Sequence, residues 1–357
     1  MTTLYDASRQ YAERPKDEKY ESIAALHAAT VAYRAQAREA KGVAYSSLRT
    51  QAEGDDVLLL GKSNMPSKLT HWAFGQLAAR AGAPASYLRG LPPTLAAQNL
   101  NYGLANRANG ETANLLLHQN GGYVVRAFTS DQYTRIWNAD VTSRLVRLAE
   151  EQPEWQPAPA GFDGSRGLYA SAHDMFVFLV DSNRRIFEKD PNGGLSRGFF
   201  AGNSETGAKS FWIKTFFYEY VCGNHRVWGA EGVRELRVRH VGNADDRAFA
   251  GLQAELVKYA DASAGEDEAK VVSARRFILG ADKDAVLDKV FGLKTGLTRK
   301  MIGEGYDRAV VHEDWYGNPR SAWGLVGGIT EIAREIPYAD ERVEVERASG
   351  KVLEISF

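Results

Sequence analysis

ANLLLHQNGGYVVRAFT, residues 113–129, consists of two β-rich runs flanking Asn120-Gly121-Gly122. Leu, Val, Tyr and Phe suit a pleated, half-buried surface, and an Asn-Gly pair supplies the backbone angles that a tight reversal requires. A β-hairpin is predicted there. Downstream, four more runs dense in aromatic and β-branched residues follow: LYASAHDMFVFLVD (168–181), LSRGFFAGN (195–203), KSFWIKTFFYEYVCG (209–223) and ELRVRHV (235–241). Together with the hairpin they predict one large, strongly curved, mainly antiparallel sheet.

Helical patterns lie on both sides of these strands. Residues 19–41 are Ala-rich, with Ile23, Leu26, His27, Thr30 and Tyr33 spaced to share a face, and predict an N-terminal helix. After a polar stretch, VLLLG (57–61) reads as a strand. From Thr70 the pattern is helical in three pieces, broken at Gly82 to Pro84 and at Pro92-Pro93. A further helix starts near Asn138 and ends before Pro153, and helical spacing returns from Ala244 to about Tyr338. Strands segregated from helices in this way define an α+β fold rather than an alternating parallel one. The expected division is an N-terminal helical region (1–110), a β-rich core with hairpin and helix (111–245) and a C-terminal helical region (246–357).

The bulk numbers exclude several classes. With 44% apolar and 25% charged residues the chain has ordinary globular usage, and its formal charge of -1 is unlike that of a protein that coats DNA by being basic throughout. One cysteine, Cys222, leaves no intramolecular disulfide and too few thiolates for a structural zinc site. No signal-type or membrane-spanning apolar run is visible, so the cytoplasm of a bacterial host is expected, with no membrane partner.

Catalytic signatures are weak. Residues 74–91, FGQLAARAGAPASYLRGL, have the outline of a helix-turn-helix, but its second helix offers only Ser86, Tyr87 and Arg89 as polar contacts and is ended quickly by Pro92, and close helical packing is the better account of Ala78 and Gly82. Cys222 and His225 lack an orienting third group. His173, Asp174 and Glu205 could converge on a divalent ion, the basis of an alternative reading as a metal-dependent enzyme on nucleic acid or nucleotide. No Walker loop or dinucleotide fingerprint is present, and no cofactor is expected.

The positive signal lies in residues 195–244, where Arg197, Lys209, Lys214, Arg226, Arg234, Arg237 and Arg239 face only Glu205, Glu219, Glu231 and Glu235. Phe199, Phe200, Phe211, Trp212, Phe216, Phe217, Tyr218 and Tyr220 stand between them. Cations interleaved with aromatic rings on a sheet offer phosphate attraction and base stacking, the two ingredients of single-strand binding. Period two puts Arg237 and Arg239 on one face, away from Leu236, Val238 and His240. A buried aromatic face with arginines at ordinary exposed positions would produce the same composition.

FGQLAARAGAPASYLRGLP, VVRAFTSDQYTRIWNADV, SRGFFAGNSETGAKSFWIKTFFYEYVCGNHRVWGA and VRHVG, spanning residues 74–242, resemble a phage- and plasmid-borne family of unknown function found in bacterial mobile elements. The resemblance implies an accessory gene, often of DNA metabolism, and no particular reaction. The order of hairpin, helix and further strands is also similar to the core of the single-strand annealing recombination proteins, a likeness of element order alone. The expected function is therefore single-stranded DNA binding, with annealing by a homo-oligomer as its fuller form. Arg126, Arg197, Lys209, Lys214, Arg237 and Arg239 are the expected phosphate contacts, and Tyr133, Phe199 and Trp212 the stacking rings. An anti-defence or regulatory protein that grips another protein is the third alternative, since aromatic surfaces also suit protein interfaces.

Overall fold

The computed structural model describes residues 18–61, 65–107, 110–119, 121–157, 167–191, 193–219, 225–226, 236–261, 264–336 and 339–356. In chain order the elements are α1 (Ile23–Ala35), β1 (Ala37–Ala44), β2 (Arg49–Glu53), β3 (Asp56–Leu60), β4 (Pro66–Leu69), α2 (His71–Ala81), α3 (Ala85–Arg89), α4 (Pro93–Arg107), β5 (Thr112–Gln119), β6 (Tyr123–Thr129), α5 (Asn138–Glu151), β7 (Trp155–Pro157), β8 (Leu168–Ala170), β9 (Met175–Ile186), β10 (Leu195–Asn203), β11 (Phe211–Glu219), β12 (His225–Arg226) and β13 (Leu236–Val238). The C-terminal part follows as α6 (Ala244–Asp261), α7 (Ala264–Arg276), α8 (Lys283–Gly292), α9 (Arg299–Val311), α10 (Glu313–Tyr316), α11 (Ala322–Arg334) and α12 (Ala339–Glu354). This is an α+β protein.

The predicted hairpin forms. β5 and β6 pair antiparallel, Gln119 opposite Tyr123, and Gly121 takes the left-handed φ of 65° that the turn needs. Its sheet is not the expected one. β5 and β6 join β1 to β4 in the order β1-β5-β6-β4-β3-β2, antiparallel except for β4 beside β6, while β7 to β13 form a second, antiparallel sheet. The sheet boundary therefore cuts across the expected division at residue 110.

Two local readings explain this difference. Residues 37–44, AREAKGVA, carry good helix formers, yet they pair along β5 from Ala37 opposite His118 to Ala44 opposite Thr112. Neighbouring-strand hydrogen bonds outweigh a propensity worth only tenths of a kcal/mol per residue. Thr50 lies in a polar stretch without apolar alternation, but its main chain and hydroxyl are bound by Asn101 and by the carbonyl of Ala97 on α4. Side-chain bonding to a distant helix leaves no periodic trace in sequence.

The two sheets use their faces differently. α2 to α4 cover one face of the first sheet, burying Leu77, Ala78, Ala81, Leu88, Leu100 and Leu104 against Leu115, Val125 and Phe128. Thr70 caps α2, accepting from the Ala73 amide. α1, α5 and the C-terminal helices cover one face of the second sheet, so that Val177, Leu179, Phe199, Ala201, Phe211, Ile213 and Phe217 share a core with Leu145, Trp323, Val326 and Ile329. On the other face stand Tyr169, Phe176, Phe178, Phe200 and Tyr218, with Trp212 at the margin. Among the described residues no helix is long and apolar enough to cross a membrane.

Candidate nucleic-acid interface

Burial sorts the residues that the sequence assigned to phosphate and base contacts. Arg126 on β6 is 1% exposed and belongs to the junction between the sheets. Its Nε and Nη2 donate to the Ala172 carbonyl at 3.2 and 2.8 Å, and its guanidinium lies 4.5 Å from the Tyr33 ring centre. Nη1 sits 3.0 Å from Glu205 Oε2, an ion pair whose alignment is not that of a hydrogen bond. Arg126 is therefore a structural cation here, not a phosphate contact.

The same correction applies along the second sheet. Arg197 is buried and donates from Nε to Asp267 Oδ2 at 2.6 Å. Phe199 is fully buried, edge-on to Trp155 with ring centres 5.2 Å apart. Tyr133 stacks flat on His240 at 4.9 Å and donates its hydroxyl to the Ser204 carbonyl. Burial raises the pKa of that hydroxyl; Phe199 has no surface to offer a base, and the Tyr133 ring is already engaged by His240 and by the Arg135 guanidinium. Lys214 is also buried, with Nζ 2.9 Å from Glu344 Oε1 on α12.

Asp174, His173 and Glu205 do not converge as metal ligands. Glu205 is occupied by Arg126 and by the Asn138 amide at 2.9 Å. The Asp174 carboxylate accepts from the Ser171 hydroxyl and faces Lys209 at 3.7 Å. His173 lies edge-on to Trp72, with Nδ1 3.4 Å from Thr206 Oγ1. Among the described residues no group of three or more acidic, His or Cys side chains could hold a metal ion. Cys222 lies outside the described residues, as does the side chain of His225.

The buried segment Asn203-Ser204-Glu205-Thr206, at the end of β10, is instead the joint of the molecule. Asn203 Nδ2 donates to the Ile136 carbonyl and to Asn138 Oδ1, and the Glu205 carbonyl accepts from Arg135. Thr206's carbonyl accepts from Trp72 Nε1 and Gln76 Nε2 on α2. Strand ends rich in Asn, Ser and Thr ordinarily read as turns, so the sequence carries no signal of this role.

The helix-turn-helix outline resolves into packing. α3 has only five residues, and Arg89 is engaged, its Nη2 donating to the His71 carbonyl and its guanidinium 5.1 Å from the Phe74 ring centre. Gly103 of α4 meets the Ala81 carbonyl so closely that a Cβ would lie 2.2 Å from its oxygen.

One group of the predicted residues does come together at a surface. Trp212 and Arg237 are directly opposed on β11 and β13, so both side chains project from the same face. The half-buried indole lies against Phe176 and Phe200 at 5.5 and 5.3 Å, with Lys214 Nζ 5.1 Å from its ring centre. Gly202 makes this seat, because a Cβ there would lie 2.5 Å from the indole ring. Lys209 Nζ is 4.8 Å from the Phe176 ring centre. Val238 and His240 are buried while Arg237 and Arg239 are exposed, as the alternation predicts. Neither arginine makes an ion pair among the described residues.

No protein-family profile, curated protein or solved structure matches the chain.

Proposed function

We propose that the chain binds single-stranded nucleic acid on the Trp212 face of its second sheet. The observation that carries this reading is the pairing of Trp212, a ring with part of its surface open, with Arg237, an exposed cation directly across the strands. Arg239, exposed two residues further on, extends the cationic edge. A base stacks on the indole while neighbouring phosphates meet the guanidinium groups. The contacts carry no hydrogen-bonding pattern for base edges, so binding is tolerant of sequence.

The expected kinship of residues 74–242 with a phage- and plasmid-borne family agrees with this reading, under which the protein acts in the DNA metabolism of a bacterial mobile element. Annealing of complementary strands by a homo-oligomer is the fuller form of the proposal. It is tested by the rate at which the protein pairs two labelled complementary oligonucleotides. Binding itself is tested by fluorescence anisotropy of labelled single- and double-stranded oligonucleotides, at low and moderate salt, with and without magnesium. Salt-sensitive binding that prefers the single strand supports the reading. Failure to bind at low salt overturns it, and oligonucleotide shortening that requires magnesium favours an enzyme instead.

A further inference from the structure

Three cations on or beside the second sheet are matched by carboxylates: Arg197 by Asp267 of α7, Lys209 by Asp174 and Lys214 by Glu344 of α12. The first two carboxylates are enclosed, with side-chain exposures of 2% and 5%. Glu344 differs, because its side chain is 62% exposed while the Lys214 it holds is 8% exposed. Lys214 in turn leans over the Trp212 ring. A carboxylate at the surface thus meets an ammonium beside the Trp212 ring. Arg347, one turn on, also faces Glu344 at 3.5 Å, so the carboxylate sits between two cations, as a bridging phosphate would.

We infer that Glu344 is an internal competitor for the nucleic-acid phosphate beside Trp212, so that α12 restrains binding until a strand displaces its carboxylate. This rests on the proposed single-strand reading and concerns the regulation of that same face. α12 is anchored through its C-terminal half, where Ala348, Val352 and Leu353 join the main core. Displacement therefore requires only a rotation of the Glu344 side chain, not release of the helix. An exposed side chain of this kind changes rotamer on a fast timescale.

The test compares full-length wild type with Glu344→Gln, and each with Lys214→Met added, by anisotropy of a labelled oligothymidylate over a range of salt. Glu344→Gln keeps the shape and removes the charge. It should tighten binding up to about fivefold, the upper end for an ion pair whose carboxylate stands in solvent. It should also steepen the log–log salt dependence by about 0.7, the increment for one added phosphate contact on a single strand. Both gains should vanish in the Lys214→Met background. Wild type that binds with an affinity and slope unchanged by Glu344→Gln overturns the competition alone, and a gain that survives Lys214→Met does the same. A wild type too weak to detect beside a binding Glu344→Gln supports it. Absence of binding by both overturns it together with the nucleic-acid reading.

Discussion

Replacing Glu205 by alanine is expected to loosen the joint between the two sheets. The carboxylate faces Arg126 at 3.0 Å and accepts the Asn138 amide at 2.9 Å, and Arg126 is 1% exposed. Its removal leaves a guanidinium without its counter-ion in a dry site, which costs about 3–5 kcal/mol. The unpartnered Asn138 amide adds about 1–3 kcal/mol unless water reaches it. The expected loss is at least about 4 kcal/mol. Urea unfolding followed by tryptophan fluorescence measures it, with Trp72 bonded to the adjacent Thr206 as a local reporter. The double variant Arg126→Met/Glu205→Leu should recover part of the loss, since an apolar pair often replaces a buried ion pair at little cost. A loss below about 1 kcal/mol for Glu205→Ala would refute the assignment of this pair as the joint.

Three further outcomes follow from the geometry. His240 is 5% exposed, and burial depresses its pKa from 6.5 to about 4. The folded state therefore disfavours the proton that the unfolded chain accepts, so the stabilisation is complete above pH 6.5 and is lost as pH falls towards 4, by about 3 kcal/mol at most. His240→Gln should flatten that part of the stability profile, and an unchanged slope would assign it to other groups. Gly202→Ala should displace the indole, seen as a change in the near-ultraviolet signal of Trp212, and should weaken oligonucleotide binding with it; an unchanged spectrum would show that the seat tolerates a methyl group. Trp212→Ala should weaken single-strand binding by about 1–3 kcal/mol with little effect on its salt slope, because stacking rather than charge is removed. Equal affinity would take the ring out of the interface.

What the sequence discloses and what it withholds divide along local and long-range interactions. The Asn120-Gly121-Gly122 hairpin, the breaks at Gly82 and Pro92, and the exposed alternation of Arg237 and Arg239 are local, and each is legible from neighbours two to four residues away. The strand at 37–44 is not, because its reason for being extended is β5, whose paired residues lie 68 to 81 positions downstream, from Ala44 opposite Thr112 to Ala37 opposite His118. Arg197, and Lys214 for as long as Glu344 holds it, are closed to phosphate for the same reason. Arg197 is neutralised by a residue 70 positions away and Lys214 by one 130 positions away. Interleaved cations and rings between residues 195 and 244 thus combine two populations, one tied into the core and one at the surface. Composition counts them together, and only the partners on α7 and α12 separate them.

The most direct test of the account is the anisotropy of a labelled oligothymidylate titrated with wild type and with Arg237→Ala/Arg239→Ala at several salt concentrations. These two side chains are exposed and make no ion pair among the described residues, so the double variant should fold with unchanged stability. Salt-sensitive binding by the wild type is predicted, with the slope reduced by about 1.4 in the variant, two phosphate contacts at about 0.7 each. Binding with the same affinity and salt slope in both proteins would remove the Trp212 face from nucleic-acid recognition, and no binding by either would contradict the function itself.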